Sequence, residues 1–192
     1  MKNNVKLIAL LLLCMVAPAA QQTTHRLAAS MQAKLDHLQQ NAAKPQPDQT
    51  PMVMTEEEIN DYFAAGRVKL PQGVKKITFQ GQSGIVTAFL TVDFDEIKAG
   101  HNGPGNPLLS IFNGTHNVRA EADASGNGGT GKVHIRTIEI DNVAVPRMAL
   151  QFFIDRYLRP KYPDIGLDSV FKLPERIDTA TVGYHKLTVT QK

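Results

Sequence analysis

Cysteine is almost missing from this 192-residue chain. Its single copy, Cys14, lies inside an N-terminal leader, so the processed chain has no disulfide, no thiolate zinc site and no cysteine nucleophile. The fold must then stand on its core alone. Excess charge is also scarce. Of the 21 Lys and Arg residues, Lys2 and Lys6 belong to the leader, which leaves 19 against 18 acids and a net charge near +1. Without a basic surplus, no nucleic-acid partner is expected. Long apolar runs are missing too. The run from Leu7 to Val16 is about ten residues, too short for the roughly 30 Å core of a bilayer, and no later stretch is longer.

That short run has a definite setting. Lys2 and Lys6 precede it, and Ala17, Pro18 and Ala19 follow it before the polar Gln21 and Gln22. Basic, apolar and small residues in this order are a secretory signal, expected to span residues 1–19 and to send the protein to the periplasm or outside the cell. Two alternatives stand beside it. An uncleaved anchor would need Lys6 to snorkel, and lipidation at Cys14 would want a small residue where Leu13 stands.

Residues 20–51 are rich in Gln, Ala and Pro. Leu27, Met31, Leu35 and Leu38 recur at helical spacing and are followed by Lys44-Pro45-Gln46-Pro47. This composition predicts a solvated stalk, partly helical, and a linker, with one folded domain over residues 52–192. About 140 residues suffice for one core and not for two. Thr55-Glu56-Glu57-Glu58 is a capping box opening a helix that Gly66 ends. Two hairpins follow. The first pairs Val74 to Gln80 with Ile85 to Phe94. The second pairs Asn117 to Ala124 with Lys132 to Val145, and each has one apolar face. Gly126 to Gly131 joins two strands and does not open a helix, so it reads as a hairpin loop and not a phosphate cradle. Gly100 to Pro107 is a loop, Leu108 to Phe112 a short apolar segment, Tyr162 to Pro174 irregular, and Thr181 to Thr190 a last strand.

The segment from Pro146 to Arg159 carries the most information. Arg147, Gln151, Asp155 and Arg159 form one narrow polar stripe on an otherwise apolar helix, which therefore expects cover on most of its circumference. The cover is either a sheet wrapped around it or an apolar ligand. The expected architecture is α+β, a strongly curved antiparallel sheet of five or six strands packed on this one main helix, with a short helix before it.

Candidates for chemistry are thin. Asp93 and Asp95 share a strand face beside Glu96 but are too few for an oxygen-only metal site. His101, His116, His134 and His185 lack zinc spacing, the serines lack a nucleophile-elbow setting, and Asn113-Gly114-Thr115 is a glycosylation sequon as well explained by a turn. No acid, base and nucleophile pair up, so neither an enzyme nor a cofactor or metal is expected.

The order of elements, from the Thr55-Glu56-Glu57-Glu58-Ile59-Asn60 helix through the strand pairs, the apolar helix after Val145-Pro146, Leu173-Pro174 and a closing strand, resembles a half-unit of the tubular lipid-binding (TULIP) superfamily. The resemblance covers residues 55–190. It implies a long curved sheet around an amphipathic helix, with an apolar groove for acyl chains. The expected function is then non-enzymatic binding of a lipid or other apolar small molecule in the cell envelope, with peripheral or no membrane contact. Met148, Leu150, Phe152, Phe153, Ile154 and Tyr157 are the expected lining. The alternative is an accessory module that docks an envelope protein partner through the sheet edge or the stalk.

Overall fold

The computed structural model describes residues 19–99, 113–160 and 166–192. All of the expected leader but Ala19, the expected loop Gly100 to Pro107 with His101, and the segment Leu108 to Phe112 lie outside the described residues. In chain order the elements are α1 (Ala19–Ala42), β1 (Met52–Thr55), α2 (Glu56–Ala64), β2 (Val74–Gln82), β3 (Ile85–Asp93), α3 (Phe94–Ala99), β4 (Thr115–Asn127), β5 (Thr130–Ile140) and β6 (Val143–Ala144). Then come α4 (Arg147–Phe153, continued by a π-helical turn over Ile154–Leu158), β7 (Asp168–Lys172), β8 (Ile177–Gly183) and β9 (Lys186–Gln191).

The chain is α+β, and its nine described strands, in place of the expected five or six, form one open antiparallel sheet. A continuous path runs β1-β9-β8-β4-β3-β2, while β5 pairs with the other edge of β4 and then with β6 and β7. The strands missed in the sequence, β1, β6 and β7, have four, two and five residues. That is too short for a period of two to stand out. The expected strand through Val145 breaks at Asp141 and Asn142, whose φ of 49° and 65° make the two-residue turn that reverses β5 into β6. The paired carboxylates near residue 93 have a structural task. Asp93 Oδ1 accepts from the N–H groups of Asp95 (3.0 Å) and Glu96 (3.1 Å) and so caps α3.

The segment expected as a solvated stalk is helical as far as Ala42, and that helix packs on the sheet. Met31 and Leu38 of α1 are buried with Met54 of β1 and Val189 of β9, and Leu35, Ile59, Tyr62 and Leu187 pack around them. A thin apolar stripe is enough here because polar groups close the seam. Asn41, only 2% exposed, donates to Gln191 Oε1 (2.7 Å) and to the Asp48 carbonyl (2.8 Å), and accepts from the Asp48 N–H (2.9 Å). Gln191 in turn donates to the carbonyls of Leu38 (2.8 Å) and Glu175 (2.5 Å). Both buried amides are thereby satisfied. The Pro-rich linker is tied down as well, since Arg176 donates to the Lys44 carbonyl at 3.1 Å. The packed unit thus includes α1 and does not begin at Met52.

The capping box forms as its residues dictate. Thr55 Oγ1 accepts from the Glu58 N–H (3.2 Å), and Glu58 accepts from the Thr55 N–H (2.8 Å). Glu58 also receives Ser30 Oγ (2.6 Å) and Lys34 Nζ (2.5 Å) from α1. Burial alone would raise this carboxyl, but the hydrogen bonds from Lys34, Ser30 and the Thr55 N–H outweigh it and hold the pKa at about 2. The next turn of α2 protects the sheet. The Asn60 amide donates to the Phe79 carbonyl (2.9 Å) and accepts its N–H (2.8 Å), while Glu56 accepts from the Gly81 N–H (2.9 Å), so the outer edge of β2 is plugged by side chains.

Candidate functional site: an apolar sheet face and its flanking helix

Cross-strand partners point to the same face of a sheet. Across β2, β3, β4 and β5 the register assembles three apolar rows. The first is Ile77, Leu90, Val118 and Ile140; the second Phe79, Ala88, Ala120 and Ile138; the third Gly81, Val86, Ala122 and Ile135. Ala124 and Val133 extend the face toward the far turn. The opposite face carries Arg119, Glu121, Asp123, His134 and Glu139, with Arg119 paired to Glu121 (3.1 Å) and Arg136 to Asp123 (2.6 Å). A β-bulge leaves Arg136 unpaired between Thr137 and Ile135, and that extra residue keeps Ile135 and Ile138 on one face although they are three apart.

These rows are not fully buried. Ala122 is buried, but Ile77, Phe79, Val86, Ala88, Leu90, Val118, Ala120, Ile135, Ile138 and Ile140 are all half-buried. Firm packing occurs at one end, where Val92 and Phe94 are buried among Leu90, Ile97, Val118, Ile140 and Phe153 of α4.

The six expected lining residues divide between protein and solvent. Ile154 is buried, Phe153 packs on the Val92 cluster, and Leu150 is half-buried. Met148 is 85% exposed and Phe152 46%. The side chain of Tyr157 lies outside the described ones. Helix α4 is therefore not the central helix expected. It offers its Phe153 edge to the sheet and its Met148 and Phe152 edge to solvent. Met148 and Phe152 are four residues apart and share one side of the regular part of α4, while Phe153 turns to the sheet. From Ile154 the helix changes to π geometry, and the Arg159 N–H donates to the Ile154 carbonyl at 2.9 Å. The polar stripe is partly used internally. Arg147 pairs with Asp168 (3.1 Å), and Asp155 takes Arg159 (2.7 Å) and Gln151 (2.9 Å). Val143 of β6, 69% exposed, adds a large apolar side chain just before α4 that the sequence did not single out.

No family model, curated protein or solved structure matches this chain.

Polar groups elsewhere serve the framework. His116 Nδ1 lies 2.5 Å from Asp141 Oδ2, which raises the imidazole pKa and lowers that of Asp141. His134 bonds Asp168, and His185 bonds Glu56 at 2.9 Å. These three histidines stand at three separate places, and no group of three or more potential metal ligands occurs among the described residues. A cleft of about 340 Å³ between α1 and residues 48–53 is lined by Lys34, His37, Asn41 and Thr50, but its buried amides already satisfy one another. No described helix is long and apolar enough to cross a membrane.

Proposed function

We propose that this protein is an exported, non-enzymatic binder of a lipid-like ligand, with the acyl portion laid along the apolar rows of β2 to β5 and flanked by α4. One observation carries this reading: the three rows bring four strands' worth of apolar side chains onto one face and leave nearly all of them half-buried, while Met148 and Phe152 stand out beside them. A sheet face that only served as core would be sealed. Contacts with an acyl chain that removed a further 200 Å² or so of apolar surface from water would contribute about 5 kcal/mol. In this proposal the sheet curves around its ligand as in a half-unit of the tubular lipid-binding superfamily, and the leader delivers the protein to the cell envelope.

Native mass spectrometry of protein purified without detergent tests the reading. A retained mass of lipid size is expected. Ala88→Phe, which fills the middle row beside Phe79 and Ala120, should release it. A bare polypeptide mass, together with no uptake of a fluorescent fatty acid, would sink the proposal.

A further inference from the structure

Four described strands, β1, β2, the two-residue β6 and β7, have a single partner and so a free edge, and the longer edges are treated differently. The Asn60 amide and Glu56 plug β2, and Lys34 Nζ donates to the Val53 carbonyl on β1 at 2.7 Å. Among the described residues, none plugs the outer edge of β7 in this way. Its inner edge follows β5, with Ser169 opposite Val133 and Phe171 opposite Gly131. The Ile135 N–H donates to the Leu167 carbonyl (2.8 Å) and the Leu173 N–H to the Gly129 carbonyl (2.9 Å), so the odd-numbered residues of this stretch bond inward. Antiparallel pairing alternates, which turns the N–H and C=O groups of Asp168, Val170 and Lys172 outward. Among the described residues none of these groups has a hydrogen-bond partner. Val170 is 64% exposed and Phe171 43%, an apolar pair of the kind that edge strands usually avoid.

The segment is also complementary to itself. When two antiparallel copies of Asp168-Ser169-Val170-Phe171-Lys172 are centred on Val170, Val170 faces Val170, and each Asp168 faces the Lys172 of the other copy. All three facing pairs fall at outward-bonding positions, which provides about six main-chain hydrogen bonds. On the other side of the strand the Phe171 ring lies over Gly131 of its own sheet, where a Cβ would come within 2.7 Å of the ring.

We propose that β7 pairs with β7 of a second copy of this chain, joining two nine-stranded sheets into one across a two-fold axis. The opposite charges at the two ends of the strand favour a second copy, because an antiparallel copy matches both ends at once, with Asp168 shared between His134 and Arg147 of its own chain and the incoming Lys172. This inference is independent of the ligand reading, which concerns the face of the sheet and not its edge.

Charge reversal tests it. In sedimentation equilibrium the purified chain should show a concentration-dependent dimer. Lys172→Asp places Asp against Asp twice, Asp168→Lys places Lys against Lys twice, and each variant alone should associate about tenfold or more weakly than the parent. Mixing the two variants restores both attractive pairs, so a dimer should form from the mixture and from neither component. A variant that had merely misfolded would not recover its partner on mixing. A parent chain that stays monomeric at every concentration, a Lys172→Asp variant that dimerises undiminished, or a mixture that stays monomeric would each overturn the proposal.

Discussion

The two long helical segments of this protein exchange the places their compositions suggest. α1 is rich in Gln and Ala with a thin apolar stripe, yet it sits in the core with Met31 and Leu38 against Val189. The segment after Pro146 is apolar over most of its circumference, yet it leaves Met148 and Phe152 in solvent. Burial here follows what each helix meets and not how hydrophobic it is. α1 meets an apolar strip of β1 and β9 and completes it with two satisfied amides, whereas α4 meets only one end of an apolar face. Polar closure can thus make a weakly amphipathic helix indispensable, while a strongly apolar one stays at a surface where something else can reach it.

The comparison breaks first if α1 is dispensable. A chain beginning at residue 43 should lose its cooperative thermal transition followed by circular dichroism; a tether would leave that transition unchanged. Within α1, Leu38→Ala should cost about 2–5 kcal/mol in urea unfolding, the range for emptying a packed core site. Glu58→Gln, which takes the charged partner from half-buried Lys34, should cost about 2 kcal/mol at neutral pH. The pH dependence has a fixed sign. The Glu58 pKa is depressed from 4.5 to about 2 in the fold, so its stabilisation is present above pH 4.5 and is lost as pH falls toward 2; the Gln variant should lack this component. On the other helix, Met148→Ser should change stability by no more than about 0.5 kcal/mol while weakening capture of a fluorescent fatty acid. Equal unfolding costs for Leu38→Ala and Met148→Ser would erase the contrast.

What could be read from the sequence was local. The Thr55 capping box joins residues three apart, and the turns at Gly84 and Gly128-Gly129 are set by residues that tolerate positive φ, so these stood out before any packing was known. The alternation in β2 to β5 was legible for the same reason, although the three shared rows depend on register and on a bulge at Arg136 that no pattern announces. The role of α1 was hidden because its partners, Val189 and Gln191, lie at the other end of the chain. The surface of α4 was misjudged because an apolar pattern shows which residues could be covered and not what the fold brings to cover them, and Met148 and Phe152 meet solvent. Of the expected lining, Met148, Leu150, Phe152 and Phe153 are at least partly accessible, although Phe153 also packs on the Val92 cluster, and Ile154 is spent on the fold.

The position of β9 sets a timetable for folding. This strand lies between β1 and β8, and Gln191 near its end closes on Asn41 across 150 residues of sequence. As the polypeptide is made, α1 and β1 emerge first but have no finished surface to settle on until Lys186–Gln191 arrive. The β2 to β5 hairpins have their neighbours at hand and can zip early, whereas the N-terminal layer must wait and then close over a large loop, a slow and entropically costly step. A chain held up before its last strand would therefore keep residues 19–55 pliable, and completion of β9 is the event that locks them in place.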